Sequence, residues 1–201
     1  MADKKLSVTY RVIRFCGINI PEAEYGQISL FKAIGRYLKE VWNSLLQKYC
    51  MFSVLFAPLN YRVLRPMLWR WLGAKVGKNC YIGYQVYFDL NNANLITVDD
   101  HVHIDEMCFL LCHKRDLSEY FQGDEYSKLG YKEGPIHIKR NTSIGSCSII
   151  MPGVTIGEGA IIGAGSLVTK DIPDWSIAVG RPAKVVKMIP QRTNDEDKKG
   201  E

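Results

Sequence analysis

His113 is the residue of this chain best suited to acid–base chemistry. It ends the run Phe109-Leu-Leu-Cys-His113, where a regular pattern gives way to a polar, irregular stretch. A neutral imidazole can take a proton from an attacking hydroxyl, and such catalysis contributes roughly 10²–10⁴-fold to a rate. The alternative is a solvated loop histidine beside Lys114 and Arg115. Asp116 or Glu119 could orient the ring, although an ion pair with the adjacent cations is a simpler role for either.

The other histidines and the cysteines suggest neither a metal centre nor a covalent nucleophile. We expect His101 and His103 at the surface and His137 in edge packing, and no set of histidines has the spacing of a zinc site, so no metal is predicted. Cys112 precedes His113, but neighbours on an extended chain point apart, so we expect a packing residue. No CxxC pair occurs among the six cysteines: Cys16, Cys50, Cys80, Cys108, Cys112 and Cys147. They are expected to be reduced thiols.

A six-residue period positions these side chains. Aliphatic residues recur every six positions over residues 76–110 and again over residues 138–168, and many of them are followed by glycine: Val76, Ile82, Phe88, Val98, Ile104, Leu110, then Ile138, Ile144, Ile150, Ile156, Ile162 and Val168. Neither an amphipathic helix nor a simple strand holds this period. Three hexads make one triangular coil, so the pattern predicts a mainly β protein, a parallel β-helix of hexapeptide repeats over residues 76–189. The glycines are expected at tight corners with positive φ.

The period breaks twice, and insertions in a solenoid often carry function. The short break covers residues 89–97. The long one, over residues 113–135, is rich in charge, Gly and Tyr and must be a loop excursion from the coil.

The segment 1–75 differs from the repeats. Apolar residues at three- and four-residue steps predict a helix from Leu30 to Phe56, and Pro58 prevents its continuation. A second helix is predicted from Val63 to Leu72, with Gly73 at its end. The last residues, 190–201, are polar and are expected to form a loose tail. With 47% hydrophobic and 11% aromatic residues, the composition excludes a disordered or collagen-like chain.

The C-terminal repeats resemble the hexapeptide-repeat acyltransferases. The similarity is carried by Ile150-Met-Pro-Gly-Val-Thr-Ile-Gly157, by Ile162-Gly-Ala-Gly-Ser-Leu-Val-Thr-Lys-Asp-Ile-Pro173 and by Ala178-Val-Gly-Arg-Pro-Ala-Lys-Val185. Within that family the chain is similar to the sugar O-acetyltransferases, which act on galactosides, maltose and bacterial polysaccharides. The resemblance covers about residues 60–189. It implies a left-handed β-helix, a homotrimer with acetyl-CoA in the groove between adjacent β-helices, and His113 as general base.

The resemblance also implies binding residues. For acetyl-CoA, Ser146 and Ala164 would contact the pantetheine arm and Thr169 and Lys170 the adenosine end. Lys184 and Lys187 would meet phosphates; solvated lysines are the alternative. Tyr87 and Asp89 occupy positions that contact the sugar in the galactoside enzymes, and Asp89 stands where asparagine is usual. It could instead satisfy a local turn with Asn91 and Asn92.

These observations predict an acetyl-CoA-dependent O-acetyltransferase whose acceptor is a sugar or a lipid-linked saccharide. An N-acetyltransferase of the same fold, acting on an amino-sugar or another amine, is the main alternative, and a catalytically silent scaffold is the third. The acceptor pocket would separate the first two.

The net charge of +5 is unevenly distributed. Residues 1–75 have twelve Lys+Arg against four Asp+Glu, whereas residues 76–201 have fourteen against seventeen. This argues against a nucleic-acid partner on the β-helix and for an N-terminal segment that contacts an anionic membrane surface or a charged acceptor, with Arg62, Arg65 and Arg70 as candidates. A helix packed on the first coil with its arginines in solvent is the alternative. The polar first residues lack a secretory signal, and no apolar run is long enough to span a bilayer. We therefore expect a cytoplasmic protein, or one at the inner face of the membrane.

Overall fold

The computed structural model describes residues 6–18, 22–53 and 59–192. The end of the predicted helix at residues 54–56, Pro58, and the tail beyond residue 192 lie outside this part. By its internal contacts the chain divides into Met1–Leu46 and Gln47–Glu201, so the division falls within a helix rather than after residue 75. The helices are α1 (Val8–Phe15), α2 (Glu22–Tyr25), α3 (Leu30–Phe52) and α4 (Arg65–Trp71).

Local sequence explains the helix ends. Ser7 caps α1, because its hydroxyl accepts a hydrogen bond of 3.1 Å from the backbone N–H of Tyr10. A π-helical turn over Asn60–Leu64 runs directly into α4, and Pro66 lies in the first turn of that helix, where a missing N–H costs nothing. Gly73 follows α4 with φ +115°, a backbone conformation that favours glycine. The two helices predicted from periodicity are present with shifted ends, whereas α1 and α2 were not predicted.

Short strands build the second unit. In chain order they are β1 (Lys75–Val76), β2 (Tyr81–Ile82), β3 (Tyr87–Phe88), β4 (Ile96–Val98), β5 (His103–Ile104), β6 (Phe109–Leu110), β7 (His113–Arg115), β8 (Tyr131–Glu133), β9 (Ile136–Ile138), β10 (Ser143–Ile144), β11 (Ile149–Ile150), β12 (Thr155–Ile156), β13 (Ile161–Ile162), β14 (Leu167–Val168), β15 (Ser176–Gly180) and β16 (Ala183–Met188).

Three parallel sheets form the faces of a β-helix, as predicted. The first face has the order β1-β4-β9-β12, the second β2-β5-β10-β13-β15, and the third β3-β6-β11-β14. β16 pairs antiparallel with β15 and closes the C-terminal end. Because each strand pairs with one a full coil away, the hexad aliphatics stack in register inside the coil, for example Ile104 on Ile144 on Ile162. These three side chains are almost wholly buried.

The hexad glycines do not have the conformation that the sequence suggested. Positive φ occurs three residues after the aliphatic, at Asn79, Gln85 and Asn141 among others, and not at the glycine that follows it. Gly145 is needed for a different reason: a Cβ there would lie 2.6 Å from the backbone nitrogen of Ala164 in the next coil. The expectation of positive-φ glycine corners was therefore wrong, because close stacking of coils, rather than turn geometry, excludes a side chain.

Both breaks in the period have defined structures. A 3-10 turn over Leu90–Leu95 fills the short break. In the long break, β7 and β8 pair antiparallel, with His113 opposite Glu133, and a 3-10 turn over Tyr126–Lys128 lies between them. The second break is thus a hairpin that begins at His113.

Candidate active site

Strand register brings His113 close to Asp89. β3 and β6 are neighbours on the third face, with Phe88 beside Leu110. Asp89 follows β3 directly, and its backbone N–H donates to the carbonyl of Leu110 at 3.1 Å. Because parallel strands end at the same edge of a sheet, Asp89 and the start of the hairpin share one corner of the β-helix.

The imidazole of His113 is hydrogen-bonded to a buried carboxylate. Its Nδ1 contacts Oδ2 of Asp89, which also accepts a 3.1 Å hydrogen bond from Nδ2 of Asn92. Asp89 is 3% exposed, whereas the side chain of His113 is 41% exposed. Because the carboxylate next to Nδ1 can only accept a hydrogen bond, it favours the tautomer with the proton on Nδ1, and the lone pair is then on Nε2. Within the described residues Nε2 makes no hydrogen bond, so it is free to accept a proton.

Neither candidate for orienting the ring does so. Asp116 accepts hydrogen bonds from the backbone and hydroxyl of Ser118, which lower its pKa, and Glu119 is exposed. The role falls to Asp89, which the sequence assigned to the acceptor or a local turn. The hydrogen bond from Asn92 confirms the local turn, but the sequence analysis did not predict the contact between Asp89 and His113. A signal was available: pairing the hexads of Phe88 and Leu110 places Asp89 at the base of the hairpin.

An aromatic side chain and a cation of the hairpin lie next to His113. The ring of Tyr131 lies edge-on to the imidazole with centroids 5.2 Å apart. The guanidinium of Arg115 stacks over Tyr131 at 4.1 Å and over Tyr126 at 5.5 Å, and it donates to the carbonyl of Leu129. This stack holds the hairpin in shape, since one cation joins both of its arms. Tyr87, an expected acceptor contact, lies on β3 against Phe109, with ring centroids 5.8 Å apart.

The expected donor-binding residues fall into three groups. Ser146 and Ala164 follow β10 and β13 and lie in stacked turns, joined by a 2.7 Å hydrogen bond from the N–H of Gly165 to the carbonyl of Ser146. Thr169 and Lys170 follow β14 at the corner shared with His113, and both are exposed. The third group is exposed on β16 and consists of Lys184 and Lys187. No hydrogen bond within the described part of the chain links these six residues to His113.

Each of the remaining histidines has a structural setting. His103 stacks on Tyr81 with centroids 4.1 Å apart and contacts Asp105 at 2.9 Å, and Nε2 of His137 contacts Asp99 at 3.0 Å. His101 is exposed in a turn with φ +60°. No cluster of metal-ligating side chains occurs in residues 6–18, 22–53 and 59–192.

Cys112 is a packing residue. Its side chain is fully buried, and burial raises the pKa of the thiol to about 12. The thiol therefore stays neutral at physiological pH, which removes its value as a nucleophile.

The three arginines expected at a membrane differ in how they contact the protein. Arg65 is fully buried, and Arg70 donates to the carbonyls of Val76 and Gly77 at 2.7 and 2.5 Å. Trp69, in the same segment, is 1% exposed. Arg65 and Trp69 are thus packed into the protein, whereas Arg62 and Arg70 are exposed, and the guanidinium of Arg62 lies over the ring of Tyr81.

Comparison with known proteins identifies the family. Residues 135–170 match the family model described as bacterial transferase hexapeptide (six repeats). Over 174 residues the chain is 32% identical to a galactoside O-acetyltransferase from Lactococcus lactis subsp. lactis (strain IL1403), covering 76% of this chain and 77% of that protein. The chain belongs to the hexapeptide-repeat acyltransferase family. Its parallel coil is accordingly the left-handed β-helix of that family.

Other relatives support the same assignment over part or all of the chain. A predicted acetyltransferase from Staphylococcus aureus (strain Mu50 / ATCC 700699) is 45% identical over 115 residues, and this match spans 57% of this chain and 55% of that protein's length. Among solved structures, a galactoside acetyltransferase in complex with coenzyme A is 27% identical with a TM-score of 0.56, covering 90% of this chain and 94% of that one. A maltose O-acetyltransferase from Clostridium difficile 630 shares the fold, with a TM-score of 0.59 and 24% identity, covering 77% of this chain and 88% of the other.

Proposed function

We propose that this protein is an acetyl-CoA-dependent O-acetyltransferase that acetylates a hydroxyl of a sugar or a lipid-linked saccharide. One observation carries the proposal: the buried carboxylate of Asp89 holds Nδ1 of His113, which leaves Nε2 of this partly exposed imidazole without a hydrogen bond in the described residues. A histidine held in this way is a ready general base. The likeness to galactoside O-acetyltransferase supports the choice of reaction.

The reaction needs one proton transfer in each direction. Nε2 of His113 accepts the proton of the acceptor hydroxyl as its oxygen attacks the thioester carbonyl, so that a C–O bond forms. The tetrahedral intermediate then collapses, the C–S bond breaks, and the imidazolium returns the proton to the departing CoA sulfur. Asp89 stabilises the imidazolium between these steps, because a carboxylate on Nδ1 is attracted to the added positive charge.

The same proposal covers donor binding. Ser146 and Ala164 would receive the pantetheine arm, Thr169 and Lys170 the adenosine end, and the ammonium groups of Lys184 and Lys187 the phosphates. The structure similar to this chain that is in complex with coenzyme A supports the donor.

We include a homotrimer in the proposal. Within one protomer the Ser146–Ala164 turns and His113 lie at different corners of the β-helix, so a donor that contacts both would have to reach across the third face or lie between two protomers. A groove between adjacent β-helices meets this need. Sedimentation equilibrium of the full chain would give a monomer mass if the proposed trimer is wrong.

The acceptor would lie against Tyr87 and the hairpin, where Tyr131 offers an aromatic face beside the base. An amine acceptor is the second candidate. It is favoured by the structural likeness to AntD, an N-acyltransferase from Bacillus cereus in complex with dTDP and 3-hydroxybutyryl-CoA, which is 25% identical with a TM-score of 0.51 over 62% of this chain and 67% of that one. Mild alkali distinguishes the products, because it cleaves an acetyl ester and leaves an acetamide intact.

The decisive test is release of free CoA from acetyl-CoA in the presence of mono- and oligosaccharides and amino-sugars. His113→Ala should lower turnover by about 10²–10⁴-fold. His103→Ala is the matched control, since His103 is also paired with an aspartate but lies on another face; it should retain turnover within about twofold of wild type. Full activity of His113→Ala would remove His113 as the base. Absence of turnover with every acceptor would favour the silent scaffold.

The proposal places the protein in the cytoplasm, at the inner face of the membrane when its acceptor is lipid-linked. All six cysteines are unpaired thiols, which suits a reducing compartment. No helix in the described ranges is both long and apolar enough to cross a bilayer.

A further inference from the structure

Helix α3 exposes a continuous apolar face within the first unit. Six large side chains recur at three- and four-residue steps and lie on one side of the helix: Phe31, Ile34, Leu38, Val41, Trp42 and Leu45. Phe31 is 86% exposed, Leu38 59% and Trp42 55%. So many exposed large apolar groups on one helix indicate an interaction surface.

The apolar surface extends beyond α3. A groove of about 580 Å³ runs between α1 and α3 and is lined by Val8 and Val12 on one side and by Leu30, Ile34 and Tyr37 on the other. Ile34 belongs both to the groove and to the α3 face, so the two form one surface. We call it the α1–α3 surface.

Cations border this surface. Over residues 30–46, α3 has the cations Lys32, Arg36 and Lys39 against one carboxylate, Glu40. Lys32 and Lys39 are exposed and make no ion pair with any described residue. Long cationic side chains next to an apolar face can place their heads at lipid phosphates while their stems cover apolar area.

A second copy of the helix is a poorer match than a bilayer. If Phe31, Leu38 and Leu45 occupied the a positions of a heptad, the flanking e and g positions would carry no charge: Leu30, Gly35, Tyr37, Trp42 and Ser44. Coiled coils select a partner and a register through charges at these positions. Wide aromatic flanks bordered by lysines are instead typical of a helix lying in a membrane interface.

We propose that the α1–α3 surface binds the face of a bilayer that contains anionic lipids. In this arrangement α3 lies parallel to the membrane plane, Phe31, Leu38 and Trp42 enter the headgroup–acyl boundary, and Lys32 and Lys39 contact lipid phosphates. The proposal rests on the membrane location given above and is independent of acetyl transfer. It moves the membrane contact from the segment around α4, where Arg65 and Trp69 are buried, to a surface whose apolar side chains are exposed within the described part of the chain.

The test is flotation of the full-length protein with vesicles of phosphatidylcholine alone or with about one-third phosphatidylglycerol. We expect binding to the anionic vesicles that weakens as salt is raised, since surface charges are screened. The double variant Leu38→Glu/Trp42→Glu should reduce the bound fraction by about tenfold or more, because it places two carboxylates in the apolar boundary. Asn43→Glu is the control on the same helix, on the side opposite the apolar face, and should bind within about twofold of wild type.

The outcomes separate this proposal from the enzymatic one. Absence of wild-type binding to anionic vesicles, or equal binding by the double variant, overturns it. If the double variant lowers the sedimentation mass and wild type does not float, the surface binds a second copy and the proposal is wrong. Circular dichroism verifies folding, and CoA release with a water-soluble acceptor is measured in parallel. Vesicle binding without turnover removes only the acetyltransferase proposal, and turnover without binding removes only this one.

Discussion

Asp89 and His113 form a pair in which each side chain determines what the other can do. The imidazole supplies a donor to a carboxylate that is otherwise removed from water, and the carboxylate keeps the proton on Nδ1. Without Asp89 the ring would be free to rotate or to change tautomer, so its Nε2 would face the acceptor only part of the time.

We predict that Asp89→Ala lowers kcat by roughly 10–100-fold, because the base loses its orientation and its imidazolium loses a stabilising charge. KM for acetyl-CoA should stay within about twofold, since the expected donor residues do not contact Asp89. Steady-state CoA release measures both constants.

The His103–Asp105 pair provides the control for this prediction. It is also a histidine–aspartate contact, between Nε2 of His103 and Oδ1 of Asp105 at 2.9 Å, but it is more exposed and lies on the second face. Asp105→Ala should leave kcat unchanged. An Asp89→Ala enzyme as active as Asp105→Ala would show that Asp89 has no part in positioning the base.

At the scale of the elements, coil stacking is the dominant constraint. The hexad aliphatics are buried in stacks, and pairing holds adjacent coils at the strand spacing, which leaves no room for side chains at some corners. Gly145 is one such place. Gly157 is another, because a Cβ at that position would overlap the backbone nitrogen of Asp174.

Gly145→Ala should destabilise the β-helix by about 1–3 kcal/mol, because a methyl group would meet the backbone of Ala164 and force the coils apart. The measurement is the midpoint of thermal unfolding followed by circular dichroism. Gly130→Ala is the matched control, since a Cβ at that hairpin glycine meets no atom within 4 Å and its φ is not positive. If both variants unfold at the same temperature, close stacking is not the reason for the glycine.

At the scale of the whole molecule, Arg65 joins distant parts of the second unit. Its Nη1 donates to the carbonyls of Ile82, at 3.3 Å, and Gly83, and its Nη2 donates to that of Ser53 at 3.0 Å. Its guanidinium also lies over the rings of Tyr61 and Tyr84. Burial lowers the pKa of Arg65; three carbonyl acceptors and two aromatic faces offset part of the cost of burying the cation, and its Nε makes no hydrogen bond within the described residues.

Arg65→Lys should therefore reduce the free energy of unfolding by about 2 kcal/mol, because an ammonium cannot reach acceptors in two directions and leaves carbonyls unpaired. Urea unfolding monitored by tryptophan fluorescence suits this test, since Trp69 is buried nearby in the chain. Arg62→Lys, at an exposed arginine over Tyr81, should change the stability by no more than about 0.5 kcal/mol. Equal effects of the two substitutions would contradict a bridging role for Arg65.

The amino-acid sequence by itself determined the β-helix, the position of its two breaks, and His113 at the entrance to the hairpin. A six-residue period can be read from residues that are close along the chain, and its repetition is typical of the parallel β-helix. Helices α3 and α4 were likewise predicted from the sequence, by the three- and four-residue spacing of their apolar side chains and by Gly73 after α4.

Only the tertiary structure decided which carboxylate serves His113. Asp116 and Glu119 are near in sequence, but the strand register across one coil brings Asp89 to the imidazole instead. It also decided the fate of the N-terminal cations: Arg65 is buried under the first coil, whereas Lys32 and Lys39 remain in solvent beside an apolar face. The composition cannot distinguish the buried cation from the exposed ones, because burial and pairing depend on contacts between residues that are distant along the chain.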